Sequence, residues 1–152
     1  MFQTAKSQIV QAIAPIAGGS QRTGAYISQK NVVKCTIVCN LAMATTDTCA
    51  ITIEQSTAVA GTGHTAITQT VPIWSNLDCS TSNISTARTA AVSYTTDAVA
   101  KNKIVIFEVI PDHLDAGYDV INVIMGASNA SNTYFAIYIC DMRYSGADVI
   151  AD

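Results

Sequence analysis

The sequence predicts an all-β chain, an antiparallel β-sandwich or jelly roll with a short N-terminal helix or arm, and three observations predict it. Isoleucine and valine together number 31 against three leucines, and threonine plus serine add 30 more, a composition that suits a pleated sheet. Several stretches alternate apolar and polar residues with a period of two, the mark of a strand with one buried face. Turn-forming clusters separate these stretches without helical patterns between them, which favours antiparallel pairing over a doubly wound sheet. At 152 residues the chain is long enough for a substantial core of its own.

Taken in order, Ser7 to Ala17 sets Ile9, Ile13 and Ile16 at helical spacing with Val10 beside them, while Pro15 and then Gly18-Gly19 interrupt the run. This predicts a short N-terminal helix or arm over residues 1–19, with the sandwich domain over 20–152. From Val32 to Leu41 the odd positions 33, 35, 37, 39 and 41 are apolar, and Cys49 to Gln55 repeats the pattern. Ala60 to Thr65 reads as a Gly-rich loop before a run from Ala66 to Trp74. Ser75 to Thr89 is rich in Ser, Thr and Asn and reads as a long loop or a weak edge strand. Ala90 to Tyr94 reads as a short strand. Lys103 to Ile110 is apolar on nearly both faces, which predicts a central strand, stopped by Pro111. Val120 to Met125 and Tyr134 to Asp141 complete the set. The predicted core comprises Val33, Cys35, Ile37, Cys39, Ile51, Ile53, Ile106, Val123, Ile137 and Ile139.

Composition also narrows function. Charged residues make up 12% of the chain, the net charge is −3, and the eight basic residues are scattered from Lys6 to Arg143. No basic stripe exists on which phosphates would release counterions, so direct nucleic-acid binding is not expected. No stretch approaches eighteen consecutive apolar residues, and the N-terminus lacks the long apolar region of a signal peptide, so neither a membrane span nor secretion is expected. Five cysteines cannot all pair within one chain. Cys35 and Cys39, four apart on one strand, lie about 13 Å from each other, too far for one metal or one disulfide. Free, packed thiols and folding in a reducing cytoplasm are the expectation.

Catalytic equipment is sparse. Asp112, Asp115 and Asp119 with His113 gather oxygen donors, but their spacing matches no calcium loop, and turn formation after Pro111 accounts for them. His64 is the only other histidine and no Gly-x-Ser-x-Gly elbow is present. No cofactor and no enzymatic activity are expected. Trp74, Tyr134 and Tyr138 suggest a sugar platform on paper, while packing between strands explains aromatic residues in alternating runs more simply.

The order of elements in the C-terminal half carries a resemblance: Val109-Ile110-Pro111, then Leu114-Asp115-Ala116-Gly117-Tyr118-Asp119, then Val120-Ile121-Asn122-Val123, a small-residue turn, and a last strand closing on Arg143-Tyr144. Tyr26 to Leu41, and Ile51 to Ser56 followed by Gly61-Thr62-Gly63, agree in character. Over Tyr26 to Tyr144 the chain resembles the small β-sandwich capsid decoration, or cement, proteins of tailed bacteriophages and related gene-transfer particles. The five cysteines depart from that family. The resemblance implies a structural virion protein on the capsid surface, with the major capsid protein as partner and a homo-oligomer, a trimer, as its assembled form. The alternative is a carbohydrate- or receptor-binding module on a head fibre or tail. Phe2, Ile9, Val10, Ile13 and Ile16 are the expected contacts to the shell or to a sister subunit, because an apolar segment too short to be a stable helix must be buried on something.

Overall fold

β-branched residues and period-two alternation produce what they predict. The computed structural model, which describes residues 6–144, 146 and 148–150, is an antiparallel sandwich of two sheets. The strands are β1 (Ser7–Ala17), β2 (Arg22–Thr23), β3 (Ile27–Ser28), β4 (Val32–Ala42), β5 (Ala50–Ser56), β6 (Thr65–Ala66), β7 (Val71–Asn76), β8 (Thr86–Ala91), β9 (Ser93–Thr95), β10 (Asn102–Val109), β11 (Val120–Met125) and β12 (Thr133–Met142). The larger sheet has the order β1-β12-β4-β10-β7-β8. The smaller has the order β2-β11-β5-β6, with β3 also on β11 and β9 also on β5. Only a 3-10 turn at Pro111–His113 interrupts the run of strands after β10.

The core lies between the inner faces. Cys35, Ile37, Cys39 and Leu41 of β4, Val105, Phe107 and Val109 of β10, and Tyr134, Ala136, Tyr138 and Cys140 of β12 meet Ile51 and Ile53 of β5 and Ile121, Val123 and Met125 of β11, all fully buried. β10 lies between β4 and β7, the central place its two-faced apolarity predicts. The strand expected over 90–94 is split: β8 closes one sheet at Ala91, and β9 starts the other at Ser93. Residues 75–89 divide between the end of β7, a loop, and β8, an edge strand exposed along most of its length.

The segment expected to be a short N-terminal helix or arm forms a strand over Ser7–Ala17 instead. β1 pairs antiparallel with β12 from Ser7↔Asp141 to Ala17↔Thr133, with register shifts between Gln11 and Ile13 and between Ile13 and Ile16. β12 offers an open row of backbone groups that a short isolated helix could not match in stability. Pro15 is tolerated because on an edge strand its missing N–H costs no ladder bond. The irregularities break the alternation, so that Ala12 and Ile13 are both buried. Gly18 then turns the chain closely over the Tyr134 ring, where an added Cβ would lie 2.7 Å from Cζ.

Four residues of the predicted core face outward. Val33 is 53% exposed while Val32 is buried, because a register irregularity between Asp141 and Met142 places Val32, not Val33, in the ladder with β12. Ile106, Ile137 and Ile139 are half-buried on the outer side. Both alternation phases of β10 and β12 are apolar, and the phase carrying Phe107 and Tyr138 points inward.

Candidate functional site

The five residues expected to make contacts do not share one surface. Phe2 lies outside the described residues. Ile13 is 6% exposed and belongs to the core, and Val10 packs against that core. Ile9 and Ile16 are 61% and 37% exposed on the outermost strand of the larger sheet.

Register defines a larger surface that alternation alone did not single out. Directly paired residues share a face of a sheet. Gln11 pairs with Ile137, Ile137 with Val38, Val38 with Ile106, Ile106 with Trp74, and Trp74 with Ala87. This row crosses all six strands. Its sequence neighbours Ile37, Val105 and Tyr138 are core residues, so the row is on the outer face. One row away, Ile9, Ile139, Thr36 and Glu108 lie side by side, and on the other side Phe135, Asn40, Ile104 and Asn76 do. Lys34 reaches Glu108 at 3.3 Å. The outer face of an antiparallel sandwich is ordinarily polar; this one is apolar across its middle. The signal in the sequence was the second apolar phase of 103–110 and 134–141.

The smaller sheet presents polar chemistry on its outer side. Glu54 pairs across the ladder with Asn122, and its Oε2 lies 3.2 Å from His64 Nδ1. The Tyr26 ring stands edge-on to His64 with centroids 6.4 Å apart. Burial and the Glu54 charge push the Tyr26 phenol up. Gly61, at φ 76°, lets the loop pass over this ring where a Cβ would come within 2.8 Å. Asn122 is fully buried, and neither of its amide atoms has a hydrogen-bond partner among the described residues.

The acidic cluster after Pro111 is dispersed by the fold. Asp115 accepts hydrogen bonds from Thr68 Oγ1 and Gln55 Nε2, each at 2.6 Å, and its own N–H donates to Gln55 Oε1 at 2.9 Å. Those donors hold its carboxyl below the usual range, Thr68 first. Asp119 pairs with Lys30 at 3.4 Å, and His113 Nδ1 accepts from the Ile110 N–H at 3.3 Å. Among the described residues no three His, Cys, Asp or Glu side chains gather as a metal site would require. Tyr134 and Tyr138 are fully buried and form no platform. Cys35, Cys39, Cys49 and Cys140 are buried, and Cys79 is half-buried. Cys35 faces Cys140 across the ladder with Sγ atoms 3.5 Å apart. Burial pushes the Cys35, Cys39 and Cys49 thiols up. No helix among the described residues is long and apolar enough to cross a membrane.

The fold and its surfaces define an antiparallel β-sandwich with an apolar outer face. Among solved structures, its fold is similar to that of the SPBc2 prophage-derived protein YomS, with a TM-score of 0.50 and 10% sequence identity, covering 88% of this chain and 92% of that one. At that identity the likeness extends to the fold alone. A CBM4 structure matches with a TM-score of 0.36 and 14% identity over 93% of this chain and 79% of its own, too slight a likeness to bear on function. No family model and no curated protein sequence matches the chain.

Proposed function

We propose that the chain is a structural virion protein that binds the outer surface of a tailed-phage capsid and stabilises it, with the major capsid protein as its partner. The observation that carries this reading is β1, an outermost strand that leaves Ile9 and Ile16 exposed on a chain otherwise rich in small polar side chains. The likeness in fold to a prophage-derived protein and the order of elements from Val109 to Tyr144 support it. Attachment would rest on many copies of a modest contact, each raising the effective concentration of the next. The reading assigns no chemical step to the protein. Purified chain mixed with expanded empty heads and imaged is expected to add regular density to the shell, and Ile16→Lys to reduce its occupancy. Heads that stay bare at saturating protein would refute the proposal.

A second reading, a carbohydrate- or receptor-binding module, is favoured by the cluster of Tyr26, Glu54 and His64 on the outer side of the smaller sheet. An aromatic ring with a carboxylate and an imidazole nearby is chemistry that can hold a sugar. Oligosaccharide binding by the native chain that Tyr26→Ala abolishes would select this reading over the first.

A further inference from the structure

We propose that the outer face of the larger sheet is a self-association surface, on which two copies of this chain stack face to face across a two-fold axis. The axis runs along the strands, between β4 and β10. The inference stands on this face alone and holds whether or not the protein decorates heads.

The first ground is chemical. Ile137, Val38, Ile106 and Trp74 form an unbroken apolar row over four adjacent strands, each half-buried by its neighbours and still open to solvent. A contiguous apolar patch of this kind marks an interaction surface. The second ground is size. Six strands about 4.8 Å apart and six to eleven residues long give a face of roughly 800 Å², close to the roughly 800 Å² each partner contributes to a standard interface.

The third ground is self-complementarity, which selects a second copy over an unrelated partner. In the order β1-β12-β4-β10-β7-β8, the proposed axis exchanges β4 with β10, β12 with β7, and β1 with β8. Val38 of each copy then lies over Ile106 of the other, and Ile137 over Trp74, so the largest side chain of the row meets an isoleucine. The same operation sets Lys34 on β4 near Glu108 on β10 of the other copy. These two already attract within one chain at 3.3 Å, and the pair of copies would join them into a four-charge cluster of alternating sign at the rim. Face-to-face packing of two twisted sheets with nearly aligned strands is a standard arrangement, with the faces about 10 Å apart. A two-fold pair departs from the three-fold association that the family resemblance implies.

The test is sedimentation of the full chain at about 50 μM, a concentration at which even a weak interface of this area is populated. The native chain is expected to be a dimer, with the emission of its single tryptophan shifting to the red on dilution as Trp74 loses its cover. Ile106→Lys, at an outward position, should weaken the dimer at least about tenfold. Lys34→Glu and Glu108→Lys should each weaken it alone. Mixed together, these two variants should form a heterodimer, because each then offers the charge that the other lacks. This last arm depends on the two-fold geometry and not on the stability of any one variant. A monomeric or trimeric native chain, a dimer indifferent to Ile106→Lys, or a mixture of the charge variants that does not associate would overturn the proposal.

Discussion

At the scale of single residues, the sandwich is tied together by polar groups that reach into it from a strand. Tyr138 is fully buried on the inner face of β12. Its hydroxyl accepts from the Val123 N–H at 3.0 Å and donates to the Ala25 carbonyl at 2.9 Å. It thereby binds the smaller sheet and the segment after β2 to the larger sheet. Tyr138→Phe keeps the ring and strands both backbone groups, which should cost about 1–3 kcal/mol. Urea unfolding should show a lower midpoint at unchanged slope; an unchanged midpoint would mean that water replaces the hydroxyl. Asp115 acts similarly for the loop after Pro111. Its folded-state carboxyl titrates below the ordinary value because Thr68 and Gln55 donate to its charged form. Its contribution is therefore complete above the unfolded value of about 3.9 and is lost as pH falls through the lower folded value, since the unfolded chain binds the proton more readily in that window. Asp115→Asn should flatten this part of the acid limb of stability against pH. An acid limb as steep as that of the native chain would remove Asp115 from the account. Lys103 shows that the inner face is not purely apolar: its side chain is fully buried and its ammonium pairs with Asp97.

At the scale of elements, β1 is the informative case. Ile9 and Ile13 stand four apart and read as neighbours on one helical face, whereas in the strand they point to opposite sides. Ile13→Ala removes a side chain that is 6% exposed and should cost about 2–5 kcal/mol. Ile9→Ala removes one that is 61% exposed and should stay within about 0.5 kcal/mol. Equal effects of the two changes on thermal unfolding would contradict the observed strand. The same geometry explains why β1 belongs to the sheet: besides its ladder with β12, the Ala12 carbonyl accepts from the Ala25 N–H at 2.9 Å. At the opposite edge, β8 has little to bury, and its Arg88 is engaged with Ser75 Oγ at 2.7 Å.

At the scale of the molecule, the apolar outer face and the exposed edge at β1 are properties of the assembled sheet, and both point to association. The proposed stacking would cover the central row, and Ile16 near the end of β1 would remain for a different contact. How much of this was legible can be traced through particular strands. The alternation of β4 and β5 named Cys35, Ile37, Cys39, Ile51 and Ile53 as core without any knowledge of partners, because the opposite phase carries most of the polar residues of these strands. The excess of β-branched residues and the turn clusters determined the antiparallel sandwich, and the apolarity of both faces of 103–110 determined the central place of β10. In β10 and β12 both phases are apolar, so which one faces the other sheet was set by pairing and by the bulk of Phe107, Tyr134 and Tyr138, and the unused phase became the outer surface. At β1 the helical spacing of Ile9, Ile13 and Ile16 was overridden by the open backbone row of β12, a long-range partner more than a hundred residues away that no local pattern announces. The sequence by itself thus determined which segments are strands with one buried side. Only the tertiary structure decided which face of a two-faced strand is buried and what an edge segment pairs with, because those choices depend on ladders between residues far apart in the chain.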